Sequence, residues 1–364
     1  MKNRIKVECY PSIEKIPADF ISMWRQLQPD FDSDIAWYSV FEKHYGSSYG
    51  KLHYVTVYID QIATLVLPAT ISENLFFVFK SRKISLFNNF YFNRFSIISQ
   101  LQDVDLLQQT LSAVFDHLIM DLKSDWIDLQ PLLKGGDEFS IITKTLKEKR
   151  LPFIDYFRFA NWIYSPVPIT SEEYFNTLNS RVKNTMQRKR KAIEKIDGFK
   201  ISIIVTESEF KSYFKDYIAV YNSSWKQKEA GIGFIRDACC AMAEKGILRL
   251  GLVYLKDIPI AAQIWFVVGN KASIFKLAYD EEYKKLSAGT VLTAEMIKQA
   301  IDVDGVTVID YLSGDDSYKA GWMNLRRQMI GVSAFNKRRI MGVIMWLRHK
   351  LIPQIYRYCC RKGI

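Results

Sequence analysis

The stretch GILRLGLVYLKDIPIAAQIWFVVGNKASIFKLAYD, residues 246–280, constrains the fold of this chain more than any other. It holds three apolar segments of strand length: Leu248–Leu255, Ile258–Val268 and Ala272–Tyr279. The breaks between them, Lys256-Asp257 and Gly269-Asn270, suit tight hairpin turns. An antiparallel meander of three strands is the simplest consequence. Its middle strand, IPIAAQIWFVV, is apolar at nearly every position, so both of its faces must be covered. The flanking sequence supplies the cover. Ser208–Trp225 is amphipathic, with Phe210, Tyr213, Phe214, Tyr217, Ile218, Tyr221 and Trp225 on one helical face. Thr290–Ile301 predicts a second helix and Ser180–Ile196 a strongly basic one. Phe199–Val205 and Thr307–Tyr311 read as further strands, and Met329–Phe335 as a last one.

The first half repeats this mixture less sharply. Leu52–Ile59 and Ile62–Ala69 pair about Asp60-Gln61, and Leu75–Phe79 reads as a third strand. Leu107, Leu111, Val114, Phe115, Leu118 and Leu122 recur at helical spacing within Val104–Leu122. A strand at Trp126–Leu129 and a helix at Asp137–Arg150 follow, the helix after Gly135-Gly136. The pattern is α+β, with two related units at 1–160 and 161–336 and a basic amphipathic segment at 337–364. A length of 364 residues agrees with two domains of about 150 each. Hydrophobic residues at 49% and aromatics at 14% exclude intrinsic disorder for most of the chain.

The net charge of +11 is unevenly placed. Asp316 is the last acidic residue, and the 11 basic groups beyond it account for the whole excess. A neutral body with a cationic end predicts a local anionic contact there. The start of the chain lacks an apolar signal region, and no stretch reaches the roughly 20 apolar residues that a membrane span needs. The five cysteines form neither a disulfide framework nor a CxxC pair, so a reducing cytoplasm is the expected location. Gly46–Leu52 imitates a phosphate loop but is one residue short, with Leu52 where Ser or Thr must bind magnesium. The scattered His44, His53, His117 and His349 predict no metal site. Cys239-Cys240 fits buried helix better than a nucleophile.

Three features in residues 260–320 carry chemistry. Leu286-Ser287-Ala288-Gly289-Thr290-Val291 opens a helix directly after a strand. Free N–H groups and the helix dipole there can hold an anion, or the segment can be a simple Ser/Thr cap. Asp310-Tyr311-Leu312-Ser313-Gly314-Asp315-Asp316-Ser317-Tyr318-Lys319 gathers carboxylates, a phenol and an amine at the end of a strand, where open sheets place their sites. Gln263, alone within the apolar strand, must be hydrogen-bonded, to a ligand or to neighbouring backbone.

Residues 246–322, with IDYLSGDDSYKAGWM and the basic SRVKNTMQRKRKAIEK ahead of them, resemble the acetyltransferase domain of CelD-like proteins in the GNAT superfamily. They are also similar to Fem-type peptidyltransferases, which carry two GNAT-like domains. Ala288 stands where many relatives have Pro. The resemblance implies tandem GNAT-like domains, with mixed, mostly antiparallel sheets flanked by helices. It implies direct transfer of an acyl group from acyl-CoA to an amine or hydroxyl of an envelope polysaccharide or lipid precursor, without a metal. The coenzyme's phosphates map onto Ser287, Ala288, Gly289 and Thr290, with Gln263 beside them. Asp280 or Asp310 would deprotonate the acceptor, Tyr318 would protonate the leaving thiolate, and Lys319 would bind phosphate or an anionic acceptor. The resemblance leaves two alternatives, a Fem-like enzyme using aminoacyl-tRNA and a non-catalytic adaptor on the same fold. Arg181, Lys183, Arg188, Lys189, Arg190, Lys191 and Lys195 form a solvated face, a binding surface for coenzyme or acceptor, or an RNA contact in the Fem-like case. The acid-free segment NKRRIMGVIMWLRHKLIPQIYRYCCRKGI fits a helix at an anionic membrane surface, with Trp346, Tyr356 and Tyr358 near the headgroups. That would make the protein peripheral to the inner membrane face.

Overall fold

The computed structural model describes residues 3–27, 30–46, 48, 50–76, 79–86 and 91–362. In chain order its elements begin with β1 (Ile5–Tyr10), α1 (Ala18–Gln26), α2 (Ile35–Tyr45), β2 (Lys51–Ile59), β3 (Ile62–Phe76), β4 (Phe79–Leu86) and β5 (Ile98–Ser99). Then come α3 (Val104–Asp116), β6 (Trp126–Leu133), α4 (Asp137–Glu148), β7 (Phe153–Tyr164), α5 (Ser171–Thr177), α6 (Ser180–Ile193), β8 (Phe199–Ile204), α7 (Glu207–Asn222) and α8 (Ile232–Glu244). The chain ends with β9 (Leu248–Leu255), β10 (Ile258–Val268), β11 (Lys271–Tyr279), α9 (Ala288–Lys298), β12 (Val308–Ser313), β13 (Leu325–Phe335) and α10 (Ile340–Lys362).

Two compact units result: Met1–Arg158 with Gln328–Ile364, and Phe159–Arg327. In the first, β1, β2, β3 and β4 pair antiparallel in sequence; β6 joins β4 in parallel and β13 joins β6 antiparallel. In the second, β8, β9, β10 and β11 pair antiparallel; β12 joins β11 in parallel, and β7 joins β12 antiparallel through residues 161–164. The two units thus share one topology, that of tandem GNAT-like domains with mixed, mostly antiparallel sheets. Smaller likenesses agree. Asp60 and Gln61 have φ of 48° and 67°, and Lys256 and Asp257 have 47° and 66°, so matching hairpins turn on paired left-handed residues. Both α3 and α9 run into a single π-helical turn, at His117–Asp121 and Gln299–Val303.

Burial explains the pairing of sheet with helix. In the second unit, Ile260, Ala261 and Trp265 of β10 are buried with Val291, Leu292, Met296 and Ile297 of α9 and with Met186 and Ile193 of α6. In the first, Val55, Val57, Leu65, Leu67 and Ile127 pack with Leu111, Val114, Phe115 and Leu118. Two sequence expectations change. The strand expected at Leu75–Phe79 straddles the reversal between β3 and β4, whose register closes at Phe76↔Phe79. β3 runs on through the polar Ser72-Glu73-Asn74, where apolar patterning gives no strand signal. The helix expected to reach Trp225 ends at Asn222, which frees Trp225 for another role.

In the first unit, α10 docks on the sheet by backbone approach. A Cβ on Gly342 would lie 2.1 Å from the Asn336 carbonyl oxygen and 2.7 Å from that of Asp125. Asn336 donates to the Ser124 carbonyl at 2.9 Å, and Arg339 pairs with the buried Asp125 at 2.6 Å. The described side chains of α10 end at Ile352, so Tyr356 and Tyr358 lie outside them. Because backbone is what a methyl would strike, Gly342→Ala should destabilise this unit by about 1–3 kcal/mol. A urea melt of the variant with an unshifted midpoint would sink that reading of the docking.

Candidate functional site

The site begins where two parallel strands part. β11 pairs with β12 only over Lys271–Ser273 and Val308–Asp310. Past that point a cavity of about 380 Å³ lies between Leu277, Ala278 and Tyr279 on one strand and Tyr311 on the other. Ser287, Gly289, Thr290 and Thr293 line it from α9, with Lys284, Gln263, Trp225, Tyr318 and Trp322 completing the wall. Of the residues expected from sequence, Gln263, Ser287, Gly289, Thr290 and Tyr318 therefore meet here. Ala288 is buried beside them at the helix start.

The helix start is open. Ser287 adopts a left-handed conformation (φ 56°) and makes no side-chain cap. Thr290 and Val291 return their N–H groups to the Ser287 carbonyl, which leaves those of Ala288 and Gly289 ahead of the first intrahelical bond. Such groups, with the dipole behind them, favour an anion. Lys284 stands at the cavity wall. Gly289 faces Tyr279, whose ring carbon would sit 3.3 Å from any added Cβ. Tyr279 in turn lies against Trp225, centroids 4.5 Å apart. Behind the start, α6 supports α9: Arg190 bonds Glu295 at 2.7 Å, and Lys189 donates to the Lys285 carbonyl. Part of the basic helix is thus occupied internally, while Arg181, Arg188, Lys191 and Lys195 are exposed.

Gln263 is fully engaged by the protein. Its amide donates to Thr293 Oγ1 at 2.8 Å and to the Gly289 carbonyl at 3.2 Å, and its oxygen accepts from the Trp265 indole at 2.8 Å. Of the two sequence readings, the bridging one describes these bonds.

Asp280, Asp310 and Lys319 do not line the cavity. Asp280 caps the short turn at Glu281–Leu286 by accepting from Glu282 N–H at 2.9 Å. Asp310 is buried and accepts from Asn161 Nδ2 at 2.6 Å, from Leu312 N–H at 2.7 Å and from Arg327 at 3.2 Å. Lys319 is buried, donates to the Ser313 carbonyl at 2.6 Å, and lies 3.5 Å from Asp316. Burial pulls its pKa down, opposed by Asp316. Tyr318 is 45% exposed, and its pKa is raised by partial desolvation first and by Asp316 second.

Patterning missed Trp225, Tyr279, Lys284 and Lys226, whereas Tyr311 lay in the Asp310–Lys319 segment already singled out. Lys226 lies 5.6 Å from the Trp225 ring and 5.8 Å from that of Tyr221. Its amine is pulled down to about 8, chiefly by burial and then by Lys276, itself paired with Glu229 at 2.6 Å. Only Trp225 carried a signal, as the last aromatic of an amphipathic run; the others depend on tertiary neighbours.

Two predictions follow from these contacts. A titration of ¹³C-methylated lysines by NMR should find a midpoint near 8 that vanishes in Lys226→Met. If every lysine titrates at its ordinary value of about 10.4, the burial argument is wrong. Gln263→Leu strands the Trp265 N–H in the core, so it should destabilise the second unit by about 1–3 kcal/mol in chemical denaturation. A neutral substitution would mean that the strut is dispensable.

Comparison with known proteins bears on the fold. Residues 180–320 match a family model described as an acetyltransferase (GNAT) domain. No curated protein matches the chain in sequence. Among solved structures, FemX is similar at 11% identity, covering 93% of this chain and 99% of that one, with a TM-score of 0.62. A conserved protein of unknown function from Bacteroides thetaiotaomicron is similar at 12% identity, covering 88% and 97%, with a TM-score of 0.54. The C-terminal DUF2156 domain of an Agrobacterium fabrum protein follows at 7%, covering 90% and 95%, also at 0.54. At such identities the likeness is one of fold. Taken with the domain match over 180–320, it makes this chain a GNAT-fold transferase.

Proposed function

We propose that the chain is a CelD-like acyltransferase that moves an acyl group from acyl-CoA to an amine or hydroxyl of an envelope polysaccharide or lipid precursor. The observation that carries the reading is the uncapped start of α9 at Ser287–Thr290, opening onto a cavity between parting strands with Lys284 on its wall. In this reading the N–H groups of Ala288 and Gly289, with Lys284, receive the coenzyme's phosphates. The thioester end enters the cavity beside Tyr279 and Tyr311. The acceptor attacks the thioester carbonyl directly, so no acyl-enzyme forms and no nucleophilic side chain is required. Tyr318, protonated and on the wall, gives its proton to the departing thiolate. Asp280, which directly follows the cavity-lining Tyr279, takes the acceptor's proton. Asp310 and Lys319 act by holding the strand end and the Tyr318 loop, a role that their buried bonds suit. Gln263 fixes the helix start by its bond to the Gly289 carbonyl.

A second reading keeps the fold and changes the donor to aminoacyl-tRNA, as in Fem-type enzymes. The exposed Arg181, Arg188 and Lys191 of α6, with Lys195 just beyond its end, favour it, since a large polyanion needs cations beyond the cavity. A non-catalytic adaptor is the third reading, and the open helix start beside a formed cavity speaks against it.

Calorimetric titration with acetyl-CoA and longer acyl-CoAs, beside Gly289→Glu, separates them. The reading requires micromolar binding by the parent protein and at least a tenfold loss in the variant, about 1.4 kcal/mol. The added carboxylate would repel phosphate and crowd Tyr279. Absence of binding to every acyl-CoA, with binding to charged tRNA, would replace the donor in favour of the second reading.

A further inference from the structure

The cationic end of the chain is less uniformly exposed than its sequence suggests. Of the eleven basic groups after Asp316, at least four are paired within the protein. Lys319 bonds the Ser313 carbonyl, Arg326 pairs with Asp315 at 2.5 Å, Arg327 with Asp310 at 3.2 Å, and Arg339 with Asp125 at 2.6 Å. The other seven all lie between Lys337 and Lys362, on α10 and the residues leading into it.

α10 carries two apolar stripes, and the first unit uses one. Met341 and Met345, four residues apart, are buried against Phe335, with Trp126 and Ile154 beside them. His349 continues that stripe, its ring 5.1 Å from Trp126 and 5.3 Å from Phe335. Ile340, Leu347 and Leu351 recur at intervals of seven and four, which puts them on a different face of the same helix. They are 81%, 40% and 46% exposed. Lys337 and Lys350 lie over the Trp346 ring at 4.1 and 5.1 Å, so cations flank the exposed stripe.

We infer that α10 docks the protein on an anionic lipid surface through Ile340, Leu347 and Leu351, with its cations toward the headgroups. An exposed apolar stripe bordered by lysine and arginine, with no acidic residue after Asp316, complements a bilayer bearing negative headgroups. The stripe distinguishes this partner from a nucleic acid, which would use the cations and leave leucines wet. Among the described residues no helix is long and apolar enough to cross a membrane, so the contact is one of lying on the surface. The inference does not depend on the identity of the acyl donor.

Co-flotation of the full chain with phosphatidylcholine vesicles, with and without phosphatidylglycerol, tests it. The protein should float with the anionic vesicles and not with the neutral ones, and added salt should weaken the binding. Leu347→Glu/Leu351→Glu should lower the partition at least about tenfold. Both side chains are exposed, so the variant should melt as the parent does. Ile340→Glu, farther along the stripe, gives the same reading should the double variant misfold. No flotation, or equal flotation of the parent and of a folded stripe variant, overturns the proposal. So does tight binding to an RNA homopolymer that survives the stripe substitutions while vesicles are ignored; the cationic end would then serve nucleic acid.

Discussion

One amide connects the core of the second unit to its cavity. β10 is covered on both faces, and Gln263 is the polar side chain that this strand puts under the start of α9. It takes the Trp265 N–H on one side and gives its own N–H groups to Thr293 and the Gly289 carbonyl on the other. A buried amide loses its water, so each of these bonds is needed simply for the strand to be buried. The consequence is positional. Because the Gly289 carbonyl accepts from both Gln263 and Thr293, the first turn of α9 is tied to β10. The uncapped helix start thus rests on core packing.

The same unit shows why some of the site was legible in sequence and some was not. The β9–β10–β11 meander could be read because apolar runs and polar turns alternate at short range. Lys256-Asp257 even turned out to be the paired left-handed step that a two-residue hairpin needs. The segment Leu286–Val291 was legible because small residues lead into an amphipathic helix; the turn at Glu281–Leu286 that separates it from β11 was not. Asp310 was visible only as one of several carboxylates. What places it is Asn161, 149 residues earlier, and Arg327, 17 residues later, and no local pattern encodes those meetings. Lys226 has the same history: its low proton affinity comes from burial and from Lys276 across the fold. In the first unit, β1, α1 and α2 escaped patterning, and β7 was hidden because the boundary expected at 160/161 falls inside it. The strand order is also non-local. β13 comes after the second unit in sequence, yet belongs to the first unit's sheet by its pairing with β6.

Charge needed the same correction. Counting residues places the whole positive excess in the last 48 positions, but the count does not say which charges are spent. Arg326, Arg327 and Arg339 each meet a carboxylate from an earlier part of the chain. The balance that looked neutral up to Asp316 therefore includes acids already committed to the cationic end. What is left for a partner concentrates on α10, which is why its second apolar stripe carries more information than the net charge.

The shared topology of the two units allows a controlled comparison, since α3 and α9 occupy the same step between antiparallel meander and parallel strand. α3 begins at Asp103, whose carboxylate accepts the Leu106 N–H at 2.8 Å. That cap satisfies one of the free donors and sets a negative charge where an incoming phosphate would lie. α9 begins at Ser287, left-handed and without a side-chain cap. A capped helix start is the more stable choice, typically by about 1 kcal/mol. The second unit forgoes it at the start of α9, where open N–H groups border a cavity with Lys284 on its wall. Fold alone would give both units equal claim to an anionic donor. An aspartate at one start and an uncapped serine at the other is the difference between these two corresponding helices.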